Sequence, residues 1–274
     1  MSPRERFAAL ARRPDARIDL AEAALWIAAE ACPGLTPGPW LERLRRLAEA
    51  AAPRLAGVAS PREQALRLAG FLFAEQGFRG NAAEYDDPRN SYLHEVLERR
   101  TGIPITLALV LLEVGRRNGV AIEGIGFPGH FLVKVLGEDE EIVLDPFRGL
   151  LLSEKECAER LATALGSDAR WERAWLRAAT PREILVRMLQ NLKRAHAARG
   201  ELEAAIGCCD RVLLLLPDAP SELRDRAILW RELECFAPAL ADLERFAKLA
   251  PREAASREMR ELLQELRQAA GRLH

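Results

Sequence analysis

The chain has 274 residues, of which 49% are hydrophobic and 30% are charged, a composition typical of a folded globular protein and not of a disordered one. Its 40 basic and 41 acidic residues give a net charge of −1, so the overall charge favours neither a nucleic-acid nor a membrane partner. The N-terminus has no apolar stretch of signal-peptide length, and no run of about 18 apolar residues occurs, which predicts a cytoplasmic protein.

The five cysteines do not match the spacing of a metal site or of a disulfide framework. Their number is odd, and no pair is separated by two residues as in a zinc-binding loop. We therefore expect no metal and no cofactor, and a reducing environment fits the chain best. The cysteines are Cys32, Cys157, Cys208, Cys209 and Cys235.

The N-terminal part of the chain predicts helices. Apolar residues recur at three- and four-residue spacing in residues 18–31, 40–52 and 61–76. Several helix starts carry a Ser or Thr followed three residues later by Glu, which is the pattern of a capping box. These starts are Ser2, Ser60, Ser153 and Thr180. The segment 77–90 is rich in Gly, Asn, Asp and Pro and is expected to form a long, ordered loop.

The middle of the chain predicts one buried helix and a small sheet. After a shorter helix at 91–100, residues 105–118 are apolar on nearly every face, as in a helix that lies in a core. Short runs rich in Val, Ile and Phe follow and predict an antiparallel meander. Pro128 and Gly129 fit the centre of a type II turn between its first two strands. The predicted strands are residues 120–127, 130–136 and 141–144.

Everything after Ser153 is expected to be helical, and this tail contains an internal repeat. Pro217 and Pro251 are 34 residues apart, and Ala205 and Ala239 have the same separation. A 34-residue period with small residues at fixed positions resembles the tetratricopeptide repeat. Because two such units rarely form a stable array alone, we expect them to pack on the preceding domain.

The central segment carries the motifs of a known family. Residues 90–100 read N-S-Y-L-H-E-V-L-E-R-R and are followed by T-G-I-P-I-T-L-A-L-V, G-F-P-G-H-F-L-V-K-V and L-D-P-F. This pattern resembles the SirB family of bacterial proteins, within the transglutaminase-like superfamily. The resemblance implies an α+β fold, with a helical N-terminal region and a transglutaminase-like (papain-like) core with a small antiparallel sheet in residues 1–179. All-α tetratricopeptide-like helices would follow in residues 180–274.

The resemblance also implies the positions of the site residues. Active members of the superfamily place a Cys at the start of the buried helix, a His at the start of a later strand and an Asp on the adjacent strand. Here His130 and Asp145 match the His and Asp positions. The residue at the helix start is Thr106, and no cysteine stands there. A nucleophile there would need the imidazole as its base and the carboxylate to orient that imidazole. The residues expected to line the cleft are Asn90, Pro128 and Gly129.

Each of these residues also has a purely structural interpretation. The Thr106 hydroxyl can satisfy backbone groups at the start of a helix, and His130 bonded to Asp145 can simply hold two strands together. His94 shares its helix with several charged residues and is expected at the surface. If Thr106 instead faces His130, a cysteine placed at position 106 is expected to become reactive.

Three functions remain open. The missing thiol favours a non-catalytic binding or regulatory protein whose repeat tail binds a protein or peptide. The alternative is a hydrolase or acyl-transferase of peptide or amide bonds, with Thr106 as nucleophile, His130 as base and Asp145 as the orienting carboxylate. The third is a purely structural repeat scaffold, and the retained His and Asp weigh against it. Neither nucleic acid nor a membrane is an expected partner, and the sequence does not indicate an oligomeric state.

Overall fold

The computed structural model describes residues 1–271 of the chain. The helices are α1 (Pro3–Ala11), α2 (Leu20–Ala31), α3 (Pro37–Leu55), α4 (Pro61–Ala69), α5 (Leu93–Arg99), α6 (Pro104–Arg117), α7 (Glu154–Leu165), α8 (Pro181–Ala198), α9 (Leu202–Leu215), α10 (Pro220–Glu232), α11 (Phe236–Leu249), α12 (Pro251–Ala254) and α13 (Arg257–Gly271). The strands are β1 (Arg79–Gly80), β2 (Thr101–Gly102), β3 (Ile122–Ile125), β4 (Leu132–Leu136), β5 (Glu141–Asp145) and β6 (Leu150–Leu152). A π-type turn over Gly70–Glu75 directly follows α4.

Residue contacts divide the chain into two units, Met1–Met188 and a second that begins at Leu189. Helix α8 contains this division. The boundary predicted from the sequence, between residues 179 and 180, lies directly before α8 and stays a prediction.

The predicted capping boxes fix the starts of several helices. Ser2, Ser153 and Thr180 each exchange hydrogen bonds with the Glu three residues later, through both side chains and both backbone N–H groups. Ser60 accepts from the Glu63 N–H, which is half of a box. Each such cap stabilises its helix by about 1 kcal/mol.

Helix α6 is the central buried element of the first unit. Its buried residues run without interruption from Pro104 to Leu112, and it packs on α3, β3 and β4. Burial of a large apolar side chain contributes about 1.5–3 kcal/mol, which outweighs the weaker helix propensity of its β-branched residues. The core helix that the sequence predicts is confirmed.

The predicted antiparallel meander is present, with one additional strand. The strand order is β3-β4-β5-β6, and every neighbouring pair is antiparallel. Between β3 and β4 the His130 N–H donates to the Phe127 carbonyl at 3.1 Å, and Gly129 has φ +66°. A type II turn requires this left-handed φ at its third residue. The additional strand is Leu150–Leu152, whose three leucines show no alternation that would predict a strand.

The prediction that everything after Ser153 is helical is wrong for the segment between α7 and α8. Gly166 adopts φ +98° and ends α7. Further along, Ala178 forms an isolated antiparallel bridge with Ile125 of β3. This contact pairs part of a sheet edge that would otherwise present unsatisfied backbone groups.

The second unit contains the predicted repeat. Helix α9 packs on α10, α10 on α11, and α11 on α13. The repeat-related residues Ala205 and Ala239 are both fully buried in apolar clusters. Arg226 of α10 donates to Asp210 of α9 at 2.6 Å and to Asp242 of α11 at 2.6 and 2.7 Å, and so ties three successive helices together.

Candidate functional site

His130 and Asp145 meet at one end of the sheet. The turn after β3 brings His130 to the start of β4, and Asp145 is the last residue of the neighbouring strand β5. The His130 Nε2 atom lies 2.9 Å from Asp145 Oδ1. The Asp145 side chain is 0% exposed and that of His130 is 18% exposed. The hydrogen bond that the sequence predicts between them is therefore present.

Asp145 holds several groups besides His130. Its Oδ1 accepts from the backbone N–H of Phe147 at 2.8 Å and of Arg148 at 3.4 Å. Its Oδ2 lies 2.8 Å from Arg160 Nη2 as an ion pair, although the orientation of the two groups does not make a hydrogen bond. Burial would raise the pKa of Asp145, but the His130 hydrogen bond and charge, the Phe147 amide and the Arg160 charge outweigh it and lower that pKa. Asp145 is a carboxylate at neutral pH.

The ionised carboxylate fixes the orientation and the tautomer of the His130 ring. A carboxylate only accepts, so Nε2 carries the proton and donates to Asp145. When the ring is neutral, Nδ1 therefore has a free lone pair, and no described residue bonds to it. In a general base of the His-Asp type, a carboxylate orients the imidazole in this way.

Thr106 serves as a structural cap in α6. Its side chain is fully buried, and its hydroxyl lies 2.7 Å from the Asn90 carbonyl and 3.0 Å from the Ile103 carbonyl. The same oxygen accepts from the Ile103 N–H at 3.2 Å. Within residues 1–271, no hydrogen bond joins Thr106 to His130. The hydroxyl is thus engaged by backbone groups, and the reactivity of a cysteine at position 106 stays a prediction.

An aromatic side chain lies against His130 instead. The Phe147 ring is 6.3 Å from the His130 ring at an interplanar angle of 83°. It also lies so close to Gly80 that a Cβ there would come within 2.4 Å of a ring carbon. Gly80 pairs with Gly102 in the short parallel ladder of β1 and β2, directly before the start of α6. Phe147 therefore fills space between His130 and β1, the strand that pairs with β2 before α6.

A cavity of about 510 Å³ opens next to His130. One wall is a single face of α7, and the other is the turn before β4 together with Arg148. Its polar lining is His130, Arg148, Glu156, Glu159, Arg160 and Thr163. Pro128 and Gly129, two of the residues expected at the cleft, line it as well.

Asn90 does not line this cavity. It is fully buried, its amide nitrogen donates to the Glu84 carbonyl at 2.6 Å, and its side-chain oxygen accepts from Asn81 at 3.1 Å. Asn90 thus organises the loop before α5, as polar loop residues commonly do.

His94 is buried, so its predicted surface position is wrong. Its Nε2 atom lies 3.7 Å from Cys32 Sγ, and its ring packs edge-on to Trp40 at 5.6 Å. Burial lowers the pKa of His94 against the opposing charge of Glu95, while burial and then Glu95 raise the pKa of the Cys32 thiol. Both groups are therefore neutral at neutral pH, and this pair does not supply the thiolate that a nucleophile requires.

The buried cysteines of the described chain are no better suited to catalysis. Cys157 packs in the core beneath β3 and β4, and burial raises its pKa to about 11. Cys208 and Cys209 are buried in α9, and burial raises the pKa of Cys209 as well. Within residues 1–271, no group of three or more His, Cys, Asp or Glu side chains is placed to hold a metal ion. None of the helices described is both long and apolar enough to cross a membrane.

Comparison with known proteins identifies both parts of the chain. Residues 39–190 match the family model of the transglutaminase-like superfamily, and residues 192–264 match that of the tetratricopeptide repeat. A solved structure of menin, described as revealing the binding site for the Mixed Lineage Leukemia protein, is similar with a TM-score of 0.43 and 13% identity. That similarity covers 91% of this chain and 71% of menin. No conclusion about this chain rests on it.

Several bacterial proteins are similar over most of the chain. A UPF0162 protein of Xylella fastidiosa (strain Temecula1) is 44% identical over 185 residues, which is 66% of this chain and 66% of that protein. This chain thus spans just under two thirds of that relative. A UPF0162 protein of Pseudomonas aeruginosa is 39% identical over 250 residues, or 89% of each chain. Protein SirB1 of Salmonella typhimurium is 26% identical over 80% of this chain and 82% of its own.

These matches confirm the predicted family and the predicted α+β fold followed by tetratricopeptide-like helices. The chain belongs to the transglutaminase-like superfamily, in the group of UPF0162 proteins that includes SirB1.

Proposed function

We propose that the transglutaminase-like domain is a non-catalytic binding or regulatory module and that the tetratricopeptide repeats bind a protein partner. The observation that carries this proposal is the state of Thr106. Its hydroxyl is fully buried and is bonded to Asn90 and Ile103, at the position where active members of the superfamily carry their nucleophile.

The enzymatic alternative draws on the His130–Asp145 pair, which has the geometry of a base and its orienting carboxylate. For Thr106 to act as the nucleophile, its hydroxyl would have to leave the Asn90 carbonyl and the Ile103 amide. Each buried polar group left without a partner costs about 1–3 kcal/mol. This requirement favours the binding role.

The repeat region supports a macromolecular partner. Tetratricopeptide repeats generally mediate interactions between proteins, and residues 192–264 match that family model. A module that binds one ligand beside His130 and a protein through its repeats would act as an adaptor or regulator in the cytoplasm.

Turnover assays on the full chain test this proposal. We expect neither ammonia release from glutamine-containing peptides nor incorporation of a fluorescent primary amine into casein to exceed the buffer rate. The wild type and the His130→Ala variant should give the same result. Turnover by the wild type that His130→Ala and Thr106→Val both abolish would establish the hydrolase or acyl-transferase instead.

A further inference from the structure

The cavity beside His130 brings together two arginine side chains and the His130 ring, from three separate elements. His130 comes from the turn before β4, Arg148 from the turn after β5 and Arg160 from α7. All three are positioned by one buried carboxylate, because Asp145 accepts from the His130 ring and the Arg148 backbone and pairs with the Arg160 guanidinium. The His130 ring, the Arg148 backbone and the Arg160 guanidinium are therefore held around one opening.

The backbone beneath Arg148 is held firmly on both sides. The Gly149 N–H donates to the Asp145 carbonyl at 2.8 Å, which closes the turn. Gly149 has φ +67° and approaches the Phe73 ring so closely that a Cβ there would lie 2.7 Å from it. The Arg148 side chain thus leaves an immobilised turn and enters the lining of the cavity.

The charges of the cavity are partly satisfied within the protein, and Arg148 is the exception. Glu156 accepts from the Ser153 N–H at 2.7 Å and from its hydroxyl at 2.6 Å, and Glu159 lies 3.8 Å from Lys155. Arg160 faces Asp145. In the part of the chain that the structure describes, no ion pair or hydrogen bond involves the Arg148 guanidinium.

Arg160 keeps donors to spare. A guanidinium carries five N–H groups, and the 2.8 Å approach of its Nη2 to Asp145 is not a hydrogen bond. A planar acceptor in the cavity could therefore engage Arg148 with both oxygens and still reach an N–H of Arg160. A carboxylate matches the fork of an arginine in this way. The two glutamates that also line the cavity would repel a multiply charged anion such as phosphate more strongly than a single carboxylate.

We propose that this cavity binds a carboxylate of a peptide, with Arg148 as its principal contact and Arg160 and His130 beside it. The proposal deepens the binding role proposed above and rests on it. At about 510 Å³ the cavity is in the range of small-ligand pockets and has room for a short peptide segment. The carboxylate comes from a peptide C-terminus or from an acidic side chain.

Nuclear magnetic resonance on the full chain can test the proposal directly. The chain has 4 histidines, so the ring Cε1–H signals are few, and His130→Gln assigns the one that matters. The probes are N-acetyl-Ala-Ala with a free C-terminus, N-acetyl-Ala-Asp-amide and the neutral N-acetyl-Ala-Ala-amide. We expect at least one of the two acids to shift the His130 signal in a saturable manner at millimolar concentration, and the neutral amide to leave it unchanged. The acid that binds more tightly identifies the source of the carboxylate.

Substitutions at Arg148 supply the second arm. Arg148→Ala should weaken binding of the acid by about tenfold or more, since a charge-assisted contact of this kind contributes more than a neutral one. The affinity of the Arg148→Lys variant for the acid should lie between those of the wild type and of Arg148→Ala. The matched control is Arg62→Ala, an exposed arginine on α4, and it should bind as the wild type does.

Several results would overturn the proposal. These are a shift of His130 by the neutral amide equal to that by the acids, no shift by either acid, an affinity that Arg148→Ala leaves unchanged, or an equal response to inorganic phosphate. None of them depends on turnover, so a failure here leaves the non-catalytic role standing. Turnover in the assays above would reject that role separately.

Discussion

Asp145 accepts hydrogen bonds from a histidine ring and two backbone amides and faces an arginine, all from a fully buried position. Such a carboxylate stabilises the fold only while it is ionised. Its removal would leave Arg160 and His130 without their partner, and breaking a buried ion pair in this way costs about 3–5 kcal/mol.

We therefore predict a pH-dependent effect of Asp145→Asn on stability. Burial alone would raise the pKa of Asp145, but its partners lower it below the ordinary value. The contribution is thus fully present above the unfolded-state pKa of about 3.9 and is lost as the pH falls through the lower folded-state value. Urea unfolding should show Asp145→Asn less stable than the wild type by about 3–5 kcal/mol at pH 7. The difference should shrink below about pH 4.

The exposed Asp139→Asn is the control for this experiment, and its unfolding free energy should match that of the wild type throughout. A difference between wild type and Asp145→Asn that is constant from pH 7 to pH 3 would contradict the assigned charge state.

Thr106 gives a second prediction for a single residue. Thr106→Val keeps the shape of the side chain and removes the hydroxyl that bonds the Asn90 carbonyl and the Ile103 amide. We expect the free energy of unfolding to fall by about 1–3 kcal/mol, because these two buried groups then keep only their mutual hydrogen bond of 3.4 Å. Thr163→Val removes an exposed hydroxyl on α7 and should change it by less than about 0.5 kcal/mol. Equal stability of the two variants in urea titrations would mean that the Thr106 hydroxyl has no role in capping.

Among the secondary-structure elements, those that the sequence predicts correctly are the ones with a strong local pattern. Helix α6 follows from its apolar residues on all faces, and the turn before β4 follows from Pro128 and Gly129. Strands β1 and β2 have two residues each and exist through their mutual pairing, so no periodicity could reveal them. The sequence therefore predicts only a long loop before α5, although this segment contains β1.

The candidate site was predictable only in part. The positions of His130 and Asp145 follow from the family motif. The burial of His94 depends on Cys32, which is 62 residues away in the chain. The ion pair of Arg160 with Asp145 joins a helix to a strand and leaves no trace in the residues around Arg160. Phe147 belongs to the L-D-P-F motif. Its position two residues after Asp145 was the one signal in the sequence for its contact with His130.

The contact of β1 with Phe147 predicts a coupled effect of two substitutions. Gly80→Ala would place a Cβ 2.4 Å from the Phe147 ring, and such overpacking costs about 1–3 kcal/mol. In a Phe147→Ala background the same substitution should cost much less, because the ring is gone. Gly70→Ala is the control, since a Cβ there meets nothing within 4 Å. It should leave the stability of the protein unchanged or raise it by about 0.4–1 kcal/mol. Additive losses in thermal unfolding of the double variant would show that the ring and Gly80 do not touch.

Across the whole molecule, the balanced charge is distributed largely as exposed pairs of arginine and glutamate. Arg45 faces Glu42 and Glu49 along α3, and all three side chains are exposed. Pairs of this kind contribute about 0–1 kcal/mol each. The stability of the chain therefore rests on its buried apolar elements and not on its surface charges.

The distribution of regular structure along the whole chain predicts where a protease will cut. Segment 166–172 is exposed and irregular, whereas Lys193 and Arg194 lie inside the continuous helix α8. Trypsin should cleave first at Arg170, because exposed irregular segments open at low free energy. Mass spectrometry of a limited digest identifies the first fragments. A first fragment that ends at Lys193 or Arg194 would mean that α8 opens more easily than the irregular segment.

The hydroxyl at position 106 also constrains how the chain can evolve. Folding alone favours it, because its loss leaves the buried Asn90 carbonyl and Ile103 amide with only their mutual hydrogen bond of 3.4 Å. Selection for folding therefore favours a hydroxyl residue here in an inactive protein as well as in an active one. A change to Cys would replace a strong donor by a weak S–H donor at a buried acceptor. A substitution that places a thiol at this position is thus opposed by stability.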